Sequence, residues 1–223
     1  MKIWDISRTL SNDFAEWPGD EPFRYRVTNE IAKGASVNLG AITMSVHNGT
    51  HADAGFHFEL NGAPIEKASL EIYLGRASVV DLSETFFKST EKHLITREDL
   101  RPQAEEIAAT SRLLVKTGRW SDSTVFPNRI PVIAADVPGW LQKNGVKLLG
   151  VDLPSMDELD SKLLQNHHVT ALAGAFQFEI RMRFRCRHHK MDCFLFTVGL
   201  SSTECRKVLG FDRDDASIVA ADV

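Results

Sequence analysis

The sequence predicts an α/β domain with a mixed sheet at its core, on three observations. The first half of the chain carries short strand patterns, and the second half alternates strands with helices. The chain has 223 residues, of which 43% are hydrophobic and 25% charged, so it is long enough to bury a core and is not of disordered composition. We therefore expect residues 1–223 to form a single domain.

Four strands are predicted in the first half. The second of them alternates, with Phe23, Tyr25 and Val27 on one face, as a half-buried strand does. The last, Ala-Ser-Val-Val-Asp-Leu, is mostly apolar and leads to an acidic end, which is typical of a buried strand. The predicted ranges are Ile3–Ser7, Phe23–Ile31, Ala41–Val46 and Ala77–Leu82.

Helices and strands alternate in the second half. Thr96 is an expected N-cap, since Asp99 follows at the spacing of a capping box, and an apolar stripe continues to Ala108. A later helix is expected to stop at Asn144-Gly145. The predicted ranges after the first helix are a strand at Leu113–Lys116, a helix at Val137–Lys143, a strand at Val146–Val151 and a helix at Met156–Gln165.

Charge and composition exclude two classes of partner. The 26 basic and 30 acidic residues give a net charge of −4, whereas a dedicated nucleic-acid binder is normally basic. No apolar run approaches the ~20 residues of a membrane span. The three cysteines are too few for a disulfide framework and the first residues lack the apolar core of a signal peptide, so we expect a cytoplasmic protein.

The segment from His47 to His57 carries the chemistry. It places three histidines and one aspartate in the spacing H-x3-H-x-D-x3-H. His51 and Asp53 face the same side of an extended chain, and a turn at Asn48-Gly49 brings His47 beside His51. Imidazole and carboxylate together suit Zn, Mn or Fe, so this segment predicts a metal site.

Other residues of this kind leave alternatives open. His57 fits a ligand, a packing residue or a proton shuttle, because imidazole titrates near neutral pH. His167 and Glu179 are candidate distant ligands, although a lone glutamate at a strand end is more often partly exposed. Asp152 and Asp157 fit either acceptors that orient metal-binding histidines or helix caps.

The His47–His57 segment resembles the H-x-G-T-H-x-D-x-P-x-H motif of the cyclase family of metal-dependent hydrolases. Supporting similarity extends from residue 1 to about residue 180. It is carried by Trp4-Asp5-Ile6-Ser7, Trp17-Pro18-Gly19-Asp20, Leu114 to Gly118, Gly150 to Ser155, Asp160 to Lys162 and His167-His168. The resemblance implies a swivelling β/β/α domain, usually a homodimer.

The resemblance also implies a ligand set and roles. His47, His51 and Asp53 would hold one zinc ion, and a second would be held by Asp53, His167 and Glu179, with Mn as the other fitting metal. The general acid/base would be His57, and Trp17 would contact an aromatic substrate. Trp17-Pro18-Gly19 also fits a turn with a partly buried indole.

The implied activity is that of an arylformamidase, which cleaves N-formyl-L-kynurenine to L-kynurenine and formate with a metal-activated water. The chain lacks the G-x-S-x-G motif of serine hydrolases. Two departures keep alternatives open, since Gly55 stands at the proline of the motif and residues 181–223 do not follow the family pattern. The alternatives are a hydrolase of another aryl or cyclic amide such as isatin, and a metal-binding homologue with impaired catalysis.

Overall fold

The structure is a computed structural model, which describes residues 6–89, 91–172, 176–179 and 190–191. The strands are β1 Arg24–Asn29, β2 Leu39–Thr43, β3 His51–Asp53, β4 Ala77–Asp81, β5 Leu94–Ile95, β6 Arg112–Lys116, β7 Val132–Ile133, β8 Leu148–Val151, β9 Phe176–Glu179 and β10 Lys190–Met191. The α-helices are α1 Ser83–Lys88, α2 Arg97–Leu100, α3 Ala104–Thr110, α4 Val137–Lys143 and α5 Gln165–Leu172. Short 3-10 helices span Ile31–Lys33, Gly55–His57, Ile65–Lys67, Leu70–Ile72 and Arg101–Gln103.

The main sheet confirms the expected mixed α/β class. Its strand order is β10-β4-β6-β8-β9-β3. The four strands β4, β6, β8 and β9 run parallel, whereas β3 pairs antiparallel with β9, and β10 pairs antiparallel with β4. Separate two-stranded pairings join β1 to β2 and β5 to β7.

Alternate residues of the parallel strands enter two hydrophobic clusters. Leu113 and Val115 of β6 pack with helix residues such as Phe86 and Ile107, while Leu114 between them packs with Tyr73 in the second cluster. These three central residues of β6 are fully buried, as expected for a parallel strand covered on both faces. This rigid layer carries the loops that follow the strands.

Several predicted elements are confirmed. Thr96 and Asp99 form the expected capping box at the start of α2, and Pro102 falls in the 3-10 turn that separates α2 from α3. Helix α4 covers the predicted range and is followed by Gly145 with φ +73°. The strand expected at Val146–Val151 begins two residues later, at Leu148.

The helix predicted at Met156–Gln165 is wrong. The chain there has no regular helix, and α5 begins only at Gln165. Side chains in this stretch bond to the local backbone instead: Ser155 accepts from the amide of Asp157, and Ser161 accepts from the amide of Leu164. Such bonds compete with helix formation, and Leu164 has a φ of +42°, outside the helical region.

The strands predicted in the first half of the chain are confirmed only in part. The strand expected at Ala77–Leu82 is confirmed as β4, and Phe23–Ile31 contains β1, but Tyr25 and Val27 are about half exposed rather than buried. Of the predicted Ala41–Val46 strand, only the residues to Thr43 belong to β2. Ile6 and Ser7 are not in a strand, and the rest of Ile3–Ser7 and almost all of residues 181–223 lie outside the described part of the chain.

No helix among the described residues is long and apolar enough to span a membrane.

Candidate metal centre

The His47–His57 segment lies at the carboxyl edge of the parallel strands. His51 begins β3 and lies opposite Glu179, the last residue of β9, in the antiparallel register. Strand β9 runs parallel to β8, so the start of β3 lies at the end where the parallel strands finish. This edge is where open α/β sheets usually bind ligands.

His47, His51 and Asp53 come together at this edge. Each offers one ligand atom, and these atoms all lie within 4.8 Å of one another. His47 Nδ1 lies 3.1 Å from His51 Nε2 and 3.1 Å from Asp53 Oδ1, while His51 Nε2 lies 3.4 Å from that oxygen. The three residues form a cluster of two nitrogens and one carboxylate oxygen.

The local chain explains how the cluster is assembled. Gly49 has a φ of +74°, a left-handed conformation that glycine adopts without strain, and it turns the chain between His47 and β3. His51 Nδ1 lies 3.1 Å from the carbonyl oxygen of Gly49, so its Nε2 is the nitrogen that faces His47 and Asp53. The turn expected at Asn48-Gly49 therefore produces the predicted juxtaposition.

Asp53 is the buried anion of the cluster. Its residue is 3% exposed, and within the described part of the chain neither carboxylate oxygen accepts a hydrogen bond of normal geometry. Burial opposes ionisation, but the contacts with His47 and His51 outweigh it and hold the pKa of Asp53 well below its usual range. A buried carboxylate of this kind needs a cation, and a set of imidazole nitrogens and carboxylate oxygen fits a divalent metal ion.

His57 lies beside the cluster. The 3-10 turn Gly55–His57 places its ring 3.9 Å from the ring of His47, centroid to centroid, and 6.5 Å from that of His167. Partial loss of solvation lowers the pKa of His57; the charge of Asp53 opposes this, and the neighbouring histidines add to it. A histidine that is largely neutral near pH 7 is suited to accepting a proton.

His167 reaches the same region from a distant part of the chain. It lies in the first turn of α5, is 3% exposed and bonds through Nδ1 to Asp157 Oδ2 at 2.5 Å. Its ring is 5.7 Å from that of Phe58, the neighbour of His57. It does not belong to the compact three-residue cluster found among the described residues.

Trp17 and Glu179, the two remaining predicted site residues, are not part of the cluster of ligand atoms described among His47, His51 and Asp53. The rings of Trp17 and Phe126 pack in a T-shaped arrangement, with their centroids 5.4 Å apart. Its loop is tied to the loop before the metal cluster, because Ser45 and Asn48 both donate hydrogen bonds to the carbonyl oxygen of Glu21. Glu179 lies opposite His51 in the antiparallel register of β3 and β9.

Sequence reasoning left the role of Asp157 open and missed the partners of His57 and Trp17. Phe58, which contacts His57, and Phe126, which contacts Trp17, carry no spacing signal, since neither belongs to a regular pattern of aromatic residues in the sequence. Gly62 was also missed. A Cβ at that position would lie 2.1 Å from the carbonyl carbon of Gly55, so Gly62 allows the loop that carries His57 to close on itself.

Comparison with known proteins decides the family. The sequence profile of the family described as "Putative cyclase" matches residues 4–158. The chain belongs to the cyclase family. Curated relatives agree: the "Kynurenine formamidase" of Geobacillus thermodenitrificans is 43% identical over 169 residues, which cover 75% of this chain and 77% of the relative. The protein of the same name from Bacillus thuringiensis subsp. konkukian is 39% identical over 164 residues, 74% of each chain.

Solved structures support the cyclase fold. A "predicted metal-dependent hydrolase" from Bacillus stearothermophilus matches with a TM-score of 0.65 and 19% identity over 84% of this chain and 85% of its own. Isatin hydrolase A from Ralstonia solanacearum matches with a TM-score of 0.66 and 21% identity over 78% and 77%. The α/β fold with a mixed sheet at its core, predicted from the sequence, is thus confirmed.

Proposed function

We propose that this chain is an arylformamidase that hydrolyses N-formyl-L-kynurenine to L-kynurenine and formate. The observation that carries the proposal is the similarity to proteins named kynurenine formamidase, at 43% identity over 75% of the chain for one of them. The cluster of His47, His51 and Asp53 supports it, because hydrolysis of a formamide needs an activated water and this cluster fits a metal that activates one.

The metal of the proposal is zinc, with two ions per subunit and Mn as the alternative. His47, His51 and Asp53 would hold the first ion, and the close approach of their ligand atoms supports this. Asp53, His167 and Glu179 would hold the second, supported by the buried His167 ring near His57 and by the register of Glu179 opposite His51. Bound metal supplies Lewis acidity and lowers the pKa of a water molecule.

The side chains of this chain then have distinct tasks. Hydrolysis adds one water across the formyl C–N bond, so the arylamine nitrogen must leave with a proton. His57 is the proposed general acid/base that takes the proton from the water and passes it to that nitrogen. Its ring beside His47 and its lowered pKa support this role. Trp17, which packs against Phe126, is the proposed contact for the aryl ring of the substrate.

Comparing two substrates tests the proposed function. Purified protein is assayed with N-formyl-L-kynurenine and with isatin, each at several concentrations and with zinc present. We expect kcat/KM to be much higher for N-formyl-L-kynurenine. A preference for isatin would shift the assignment to a hydrolase of cyclic amides, and turnover of neither substrate by metal-loaded protein would favour a non-catalytic metal-binding homologue.

Replacing Gly62 by alanine is expected to slow the reaction. The new Cβ meets the backbone of Gly55 at 2.1 Å, which forces the His57 loop to move. Misplacement by about 1 Å costs up to about 100-fold in rate, so we expect kcat to fall with metal content preserved. Gly55→Ala is the matched control, because its Cβ makes ordinary contacts from 3.4 Å outwards. Equal rates for both variants would contradict a positioning role of Gly62.

We also propose that the chain is a homodimer. The β1–β2 ribbon is a separate two-stranded sheet, which is marginally stable by itself. Tyr25, Val27 and Ile42 lie on one face of it and are 45–50% exposed, so a second copy covering this face would bury them.

Sedimentation measurements test the dimer. Wild-type protein is expected to sediment as a dimer, and the double substitution Tyr25→Asp and Val27→Asp is expected to shift it to a monomer. Arg26→Glu, on the opposite face of the same strand, is the control and keeps the dimer. A wild-type monomer at all concentrations would contradict this proposal.

We further propose a single catalytic domain, 1–223, in the cytoplasm. Strands that lie far apart along the chain support one domain, since β3 and β10 belong to the same sheet. The low cysteine count supports a reducing compartment. One cooperative unfolding transition is expected, and two separated transitions would contradict a single domain.

A further inference from the structure

Asp157 makes an unusual set of hydrogen bonds with the start of α5. Its Oδ1 accepts from the backbone amide of Asn166 at 3.0 Å. Its Oδ2 accepts from the backbone amide of His167 at 3.2 Å and from the ring Nδ1 of the same residue at 2.5 Å. The side chains of Asp157 and His167 are both almost fully buried. One carboxylate oxygen therefore holds the backbone and the ring of His167 at once.

We propose that Asp157 is a positioning residue of the metal centre, which fixes the rotamer and tautomer of His167. A carboxylate that accepts from Nδ1 requires the proton on that nitrogen, so Nε2 keeps its lone pair and is the nitrogen available to a metal. Carboxylate partners of this kind orient metal-binding histidines and increase their basicity. The inference rests on the proposed function only in that His167 is taken as a ligand.

The surroundings of Asp157 make it a rigid support. Its own amide donates to Ser155 Oγ at 3.1 Å. The side chain of Asn166 donates to the carbonyl oxygens of Ile133 in β7 and of Met156, which anchors the start of α5 to β7 and to the residue before Asp157. The carboxylate and the helix it holds are thus tied to the same framework, so the ring of His167 has little freedom to turn.

A simple helix cap does not account for this arrangement. A cap needs only the bonds to the backbone amides of Asn166 and His167, whereas Asp157 also bonds to the ring. The two roles differ in what they change. Loss of a cap lowers the stability of the fold, and loss of a positioning residue also weakens metal binding by the folded protein.

Zinc affinity of the folded full-length protein separates the two roles. It is measured by competition with a chromogenic chelator for wild type, Asp157→Asn, His167→Ala, the double variant and Thr96→Ala. Thr96→Ala removes a helix cap far along the chain and serves as the control for lost stability. We expect Asp157→Asn to weaken zinc binding about 10- to 100-fold, and Thr96→Ala to leave it unchanged at a similar loss of thermal stability.

The double variant shows whether Asp157 acts through His167. We expect Asp157→Asn to have little further effect once His167 is alanine, because the group it positions is gone. Additive losses, or an Asp157→Asn variant with wild-type zinc affinity, would overturn the positioning role while leaving the ligand assignment intact. Wild-type zinc affinity in His167→Ala would overturn the ligand assignment and the inference together.

Discussion

The His51→Ala variant is expected to lose its metal and its activity together. His51 is buried at the start of β3, and its Nε2 faces both His47 and Asp53. Removing it leaves one imidazole and a buried carboxylate, which is too few ligands to hold a divalent ion tightly. The contribution of the metal to hydrolysis is about 4 kcal/mol or more, so we expect the rate to fall about 1000-fold or further.

Metal content and hydrolysis of N-formyl-L-kynurenine are measured on the same preparation of this variant. His93→Ala is the matched control, since His93 is exposed and the one hydrogen-bond contact described for its ring is with the carbonyl oxygen of Glu91. The control is expected to keep both metal and rate. Full metal occupancy in His51→Ala would contradict the ligand assignment.

The His57→Ala variant is expected to separate metal binding from catalysis. His57 lies beside the cluster of ligand atoms, with its ring over that of His47, and is not one of the three clustered residues. Loss of a general acid/base costs about 100- to 10,000-fold in rate. We therefore expect kcat to fall by that range while KM and metal content change little.

Phe56→Ala is the control for His57→Ala, because it alters the neighbouring exposed residue of the same turn without removing a titratable group. It is expected to keep most of the activity. Added imidazole should restore part of the rate to His57→Ala, since free imidazole can carry the proton. Loss of metal from His57→Ala would instead make His57 a ligand.

Local sequence patterns predict correctly those elements that are stabilised by residues close together in the sequence. The capping box of Thr96 and Asp99 and the glycine after α4 act within a few residues, so their signals are readable from the chain alone. The failed helix at Met156–Gln165 shows the limit. Serine side chains there accept hydrogen bonds from nearby backbone amides, and these bonds compete with helix formation. The spacing of apolar residues does not reveal whether the helix or the serine bonds prevail.

The exposed face of β1 shows a second limit. Its alternation predicted a half-buried strand, and the alternation is real, but Tyr25 and Val27 are half exposed in the single chain. Periodicity tells which residues share a face. It does not tell whether that face is covered within the chain or by another copy.

The candidate site likewise has one part that the sequence predicts and another part that depends on the fold. Spacing alone predicted the juxtaposition of His47, His51 and Asp53, because all three lie on one turn and one short strand. The approach of His167 to His57 depends on how α5 is placed after β8, which only the fold and the family resemblance supply. The dual bonding of Asp157 to that histidine required atomic geometry.

Hydrolysis of N-formyl-L-kynurenine before and after metal removal tests the central claim most directly. The purified protein is stripped with a chelator, dialysed and assayed, and zinc is then added back. We predict that turnover disappears with the metal and returns with zinc. Undiminished turnover by protein shown to contain no metal would contradict the account, as would a protein with full zinc occupancy that does not cleave the formamide.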